Sequence, residues 1–270
     1  HNRGQDGAGF ASIKLDVEPG KRFISRIRST EKQPIQDVFS KINERINKEL
    51  KSDPSLPENT EKLKSKVPYV GEVLLGHVRY GTFGGNSVEN VHPFLRRNNW
   101  MHRNLILAGN CNMTNSKELF ESLVEIGQHP KEYTDTVIIM EEIGHVLDNS
   151  VRKIRKDLKK IELSKDEISK KISKKLDIFK ILKKASKKWD GGYVIGGLLG
   201  HGDSFVVRDP NGIRPAFYYK DDEVVVVASE RPAIQTAFNV DISRIEELNS
   251  GDAIVIKSNG EVTIKNVTEA

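Results

Sequence analysis

The chain has 270 residues, 30% of them charged, with a formal net charge of +5 and a pI near 9.1, a length that buries a substantial core in one large or two small domains. One cysteine, Cys111, excludes an internal disulfide and a Cys-rich metal cluster, which fits a reducing compartment, and no His/Cys/carboxylate set has ligand spacing, so no bound metal is expected. With no run of about 18 apolar residues and no signal-peptide pattern, a cytoplasmic protein without a membrane partner is expected.

The positive charge is concentrated. Val151 to Lys188 holds sixteen Lys and Arg against five Asp and Glu, so the remainder of the chain is mildly acidic.

In chain order, residues 1–9 hold three glycines and no hydrophobic period, and read as a loop. Phe10 to Val17 alternates as a strand, Pro19-Gly20 turns, and Phe23 to Arg28 returns. From Pro34 to Leu50 the apolar positions recur at three and four residues, which predicts an amphipathic helix ending in the linker Asp53 to Pro57 with its two prolines. Val73 opens a strand that reaches Tyr80, followed by a glycine-rich loop. Arg79 at the end of that strand suits capture of a carboxylate through its planar guanidinium fork, and equally a structural ion pair.

Leu105-Ile106-Leu107 reads as a short buried strand whose exit, Ala108 to Asn112, is a tight turn. Thr114 or Asn115 then caps a helix over Ser116 to Ile126, with Glu118 in capping-box distance of Asn115. Backbone N–H groups and an Asn amide converge at such a strand end, which is how an oxyanion hole is built; an ordinary turn accounts for the same residues. Asp135 stands before a helix over Val137 to Leu147, where the helix dipole favours a carboxylate.

Apolar residues from Ile154 to Leu182 predict one or two amphipathic helices with lysine-rich outer faces. Aromatic residues are nearly absent there, so the lysines read as a solvated face and not as a nucleic-acid contact. After Gly192 the chain becomes β-rich, with hairpin turns at Asn211-Gly212, Asp221-Asp222 and Asn259-Gly260. Runs such as Val224 to Ala228 imply strands covered on both faces, and hence two sheet layers enclosed by helices.

Several motifs stand in one order: HNRGQDGAG from His1, GHVRYGTFGG from Gly76, NVHPF from Asn90, the Leu105 to Asn115 stretch, TDT from Thr134, and VRDPNGIRP from Val207 followed by VVASE from Val226. In that order they resemble the class II glutamine amidotransferase domain, and the last two blocks resemble its amidophosphoribosyltransferase branch. The resemblance implies an α+β fold, the four-layer αββα sandwich of N-terminal-nucleophile hydrolases, over residues 1–270 as a single domain. Residues 30–67 would then be a variable connection, and 151–188 a lysine-rich helical insert.

The implied activity is release of ammonia from glutamine for transfer to phosphoribosyl pyrophosphate, in a homo-oligomer, with no cofactor in this domain and no nucleic-acid partner. The transfer would need a phosphoribosyltransferase domain that nothing here matches. The glutaminase domain of another class II amidotransferase, or a non-catalytic amino-acid-binding module, are the alternatives.

By resemblance, Arg79 binds the α-carboxylate of glutamine, Thr82 is a substrate-binding residue of the same loop, and Asp135 binds the α-amino group. Asn110 and the backbone N–H of the next residue, Cys111, supply the oxyanion hole; Arg3 and Gly4 pack beside the nucleophile. The implied nucleophile is an N-terminal cysteine upstream of His1, so residues 1–270 alone are expected not to hydrolyse glutamine. Cys111 stands where the family has glycine, and a positive φ there would strain it by about a kcal/mol or more. As a replacement nucleophile Cys111 is disfavoured, since no histidine stands near it in sequence and a lone thiol is usually a buried small hydrophobe; His77 and His102 could approach it only through the fold.

Overall fold

The computed structural model describes residues 5–81, 87–130, 132–159, 161 and 163–268, with the backbone alone at 165 and 166. Two compact units emerge: residues 1–95 with 106–108 and 200–202, and the rest.

The first unit is built on a three-stranded antiparallel sheet of order β2-β1-β3, with β1 at Gly7–Ile13, β2 at Ile24–Ser29 and β3 at Val73–Arg79. β1 begins at Gly7, inside the stretch expected to be a loop, because Gly7 pairs with Arg79 across to β3. Helix α1, Pro34–Ser52, follows the predicted period, and Val38 and Ile42 on its inner face pack with Ala8, Ile27 and Tyr69. The variable connection holds a short helix, α2 (Thr60–Lys66), whose cap Asn59 accepts the Lys62 N–H at 2.8 Å.

The larger sheet, most of whose residues belong to the second unit, runs in the order β12-β11-β7-β6-β5-β4. Its strands are β4 (Phe94–Arg96), β5 (Leu105–Met113), β6 (Gly191–Leu199), β7 (Ser204–Arg208), β11 (Asp252–Ile256) and β12 (Val262–Asn266). A smaller sheet, β10-β8-β9, is made of β8 (Phe217–Lys220), β9 (Val225–Ala228) and β10 (Glu246–Glu247). Ala216, Leu248 and Ile254 form one apolar cluster, and helix α7 (Arg231–Phe238) closes another through Ile234, Tyr219 and Ile245.

Helices α3 (Ser116–Glu125), α4 (Asp135–Leu158), α5 (Lys165–Lys175) and α6 (Ile178–Ala185) complete this unit. α4 is one continuous helix of 24 residues, longer than the Val137 to Leu147 expected, because its buried stripe continues through Val151 to Leu158. Each fully buried Ile or Leu of that stripe contributes about 1.5–3 kcal/mol. α5 opens with a capping box between Ser164 and Glu167.

Candidate active site

β5 carries the centre of the candidate site. Leu105 to Ala108 are buried; beyond them Asn110 and Asn112 are exposed, Cys111 is half-buried and Met113 is buried. The expected tight turn over Ala108 to Asn112 is therefore a correction: the segment continues as strand. Gly109 explains it, since a Cβ there would lie 2.5 Å from Ile195 Cδ1 and 2.7 Å from the Val194 carbonyl oxygen. Glycine at this position permits close approach of the neighbouring strand. Cys111 is not among the residues with positive φ, so the strain considered for it does not arise.

A second correction follows at the next helix. Asn115 occupies the cap position of α3 but its side chain makes no capping bond. Its Nδ2 donates instead to the Lys188 carbonyl at 2.7 Å, and its Oδ1 accepts the Asp190 N–H at 3.3 Å. Backbone groups brought in from residues 188–190 take the amide that a local capping box would have used. Thr114 joins them, its N–H donating to the Asp190 carbonyl at 2.9 Å and its hydroxyl to the Asp190 carboxylate.

Asp135 is the junction of this region. Thr134, not Asp135, caps α4, its hydroxyl accepting the Val137 N–H at 3.4 Å. That leaves the Asp135 carboxylate to accept the Met113 N–H at 2.9 Å and the Ser116 hydroxyl at 2.5 Å. One carboxylate thus ties the end of β5, the start of α3 and the start of α4. A carboxylate has about four acceptor positions, so it can hold these donors and still accept from a ligand ammonium.

Cys111 sits beside this junction with its Sγ 3.2 Å from Thr136 Oγ1. Burial pushes its thiol up to about 12, and the Asp135 charge acts in the same direction, against the Thr136 hydrogen bond and the Arg214 guanidinium. At neutral pH the sulfur is a thiol, unfit for attack. Of the two histidines considered as its activator, His102 pairs through Nε2 with Ser169 Oγ at 3.0 Å, and the His77 ring stacks 4.3 Å from that of His92.

The VRDPNGIRP block builds scaffold that its sequence did not disclose. Asp209, fully buried, accepts N–H groups from Tyr193, Asn211, Ile213 and Arg214. Arg208 donates to the carbonyls of Gly212, Arg214 and Leu248, fixing the loop from the other side. Thr136, Ser116 and Arg214 are neighbours of the site to which residue pattern gave no role, although the TDT and VRDPNGIRP blocks contain the first and the last.

In the first unit, Arg79 ends β3 at 8% exposure. Its carbonyl accepts the Asp6 N–H at 3.4 Å, and the Asp6 carboxylate accepts the Gly81 N–H at 2.7 Å, which fixes the start of the glycine-rich loop. Thr82, Arg3 and Gly4 lie outside the described residues. The second unit brings Asn110, Cys111 and Asp135 together; Arg79 belongs to the first. Among the described residues, no group of three His, Cys, Asp or Glu side chains could hold a metal, and no helix is long and apolar enough to cross a membrane.

Comparison with known proteins agrees with these features. The sequence model of the class II glutamine amidotransferases matches residues 41–181. The amidophosphoribosyltransferase of Bacillus subtilis is 30% identical over 262 residues, covering 96% of this chain and 41% of the relative. That of Methanocaldococcus jannaschii is 30% identical over 203 residues, 75% of this chain and 36% of the relative. The chain therefore spans well under half the length of these relatives. The solved glutamine phosphoribosylpyrophosphate amidotransferase from B. subtilis, complexed with ADP and GMP, matches 99% of this chain and 44% of its own at a TM-score of 0.62 and 23% identity. That match shows the fold: α+β, of the N-terminal-nucleophile hydrolase type.

Proposed function

Because the chain belongs to the class II glutamine amidotransferases, we propose that it is the glutamine-hydrolysing part of an amidophosphoribosyltransferase-like enzyme, releasing ammonia for transfer to phosphoribosyl pyrophosphate in purine synthesis. The observation that carries this reading is the Asp135 junction. It holds a carboxylate, through Met113, two residues beyond the Asn110-Cys111 pair.

In this reading, carried over from the family, Asp135 receives the α-ammonium of glutamine and Arg79 the α-carboxylate through its bidentate fork, with Thr82 a substrate-binding residue of the same loop. The side-chain carbonyl then lies at β5, where the Asn110 amide and the Cys111 N–H donate to the oxyanion as charge develops. A cysteine thiolate attacks that carbon, the C–N bond breaks, and ammonia leaves with the proton supplied by the nucleophile's own amine. Water then cleaves the γ-glutamyl thioester to glutamate and regenerates the thiol. Arg3 and Gly4 support the nucleophile. Cys111 contributes its N–H, and its raised thiol pKa argues against a role for its sulfur.

The test is covalent. The purified full-length protein is incubated with the glutamine analogue diazo-oxo-norleucine and the adduct is located by peptide mapping, alongside measured ammonia release. A label on a cysteine other than Cys111, with release blocked, is the expected result. A label on Cys111 overturns the assignment of the sulfur; glutamine binding with neither label nor release makes the protein a binding module instead.

A further inference from the structure

Away from the Asp135 junction, α3, α4 and the segment Lys184 to Lys188 line a half-open cavity of about 250 Å³. Leu123 and Val146 line its interior, which is mostly apolar. Among the described residues, Glu142 is the one carboxylate in its wall, about two turns along α4 from Asp135. Its Oε2 accepts the Trp189 indole N–H at 2.5 Å, and burial raises its pKa. Lys184, Lys187 and Lys188 stand exposed on the rim.

An apolar interior and a cationic rim ask for one kind of ligand. Apolar cavities of about 150 Å³ accept benzene, so this one has room for about two fused rings or a short aliphatic chain. The rim ammonium groups offer donors to an anionic head in solvent, where a phosphate or carboxylate keeps part of its hydration. Glu142 sets the orientation, because an anion turned inward would meet its carboxyl. The lysines on this rim come from the insert that the amidotransferase reading leaves without a role.

We propose that this cavity is a binding site for a small amphipathic anion, its hydrophobic body between α3 and α4 and its phosphate or carboxylate head on Lys184 and Lys187. The site is independent of glutamine hydrolysis, and its test reads binding alone.

The probe is naphthyl phosphate, titrated into the full-length protein by calorimetry, with naphthol and inorganic phosphate as half-ligands. Saturable binding at a single site is expected, with each half-ligand weaker by at least about tenfold. Lys184→Glu with Lys187→Glu should weaken naphthyl phosphate at least about tenfold, and Ser122→Trp, which places an indole at the cavity margin, should abolish binding. Both lysines are on the surface, so the charge variant reports even where the tryptophan variant fails to fold. Binding unchanged in the charge variant, or inorganic phosphate binding as tightly as the naphthyl ester, overturns the site.

Discussion

The start and the middle of α4 use charge in opposite ways. At the start, the Asp135 carboxylate accepts from two neutral donors, the Met113 N–H and the Ser116 hydroxyl. In the middle, Arg96 donates to Glu141 at 3.0 Å and to Asp148 at 2.8 Å, while Arg155 stacks 3.9 Å from the Trp100 ring. A carboxylate held by neutral dipoles keeps its charge available to a ligand, whereas charges that answer one another are consumed in structure. Buried or half-buried charge by itself therefore does not mark a site; the chemistry of its partners does.

Replacing Asp135 should break this contrast most severely. Asp135→Ala removes the proposed ammonium contact and orphans the Met113 N–H, and kcat/KM for ammonia release should fall by on the order of a hundredfold or more. Asp135→Asn, which still accepts hydrogen bonds, should keep the fold, as urea unfolding will show, while losing the affinity for glutamine. Equal losses of stability in the two variants would make the junction purely structural.

In the middle of the helix the expected effect is on stability alone. Arg96→Ala leaves Glu141 and Asp148, each about a fifth exposed, without their shared cation, and should cost about 3 kcal/mol in urea unfolding. Its affinity for glutamine should stay unchanged.

Cys111 sharpens the comparison through pH. Its thiol, ordinarily near 9, is pushed to about 12 by burial, so the unfolded thiol ionises before the folded one. Stability is whole below pH 9 and falls as pH rises through that window. Cys111→Ala should therefore lose on the order of 1 kcal/mol at pH 8 and lose less, relative to the unmodified protein, at pH 10.5. Urea midpoints at the two values check the sign, and a gap that widens with pH contradicts a protonated buried thiol.

The smallest effect belongs to the lysine-rich face. Lys174, exposed in the last turn of α5, is free of any buried role; Lys174→Glu should change stability by no more than about 0.5 kcal/mol, through the helix dipole alone.

Much of the fold is legible without coordinates. α1 and α3 follow the apolar spacing of their residues, and the β-rich end from Gly191 onward follows its alternation and turn residues. Local signals failed where distant backbone intervened. Gly109 to Asn112 carries turn residues yet is strand, because the neighbouring β6 presses against Gly109. Asn115 has cap chemistry yet serves Lys188 and Asp190. The α2 helix, seven residues in a polar connection, has no buried residue to give a period.

The residues by themselves determined the order of the motifs and the concentration of positive charge between Val151 and Lys188, which depend only on residue type and spacing along the chain; Arg79, Asn110 and Asp135 stood out through the resemblance those motifs carry. Only the tertiary structure decided what Asp135 holds, that Cys111 lies in a strand with a suppressed thiol, and that a lysine-rimmed cavity opens between α3 and α4. Each depends on groups many positions apart, such as Met113 and Asp135, whose meeting is set by how helices pack on the sheet and not by any local propensity.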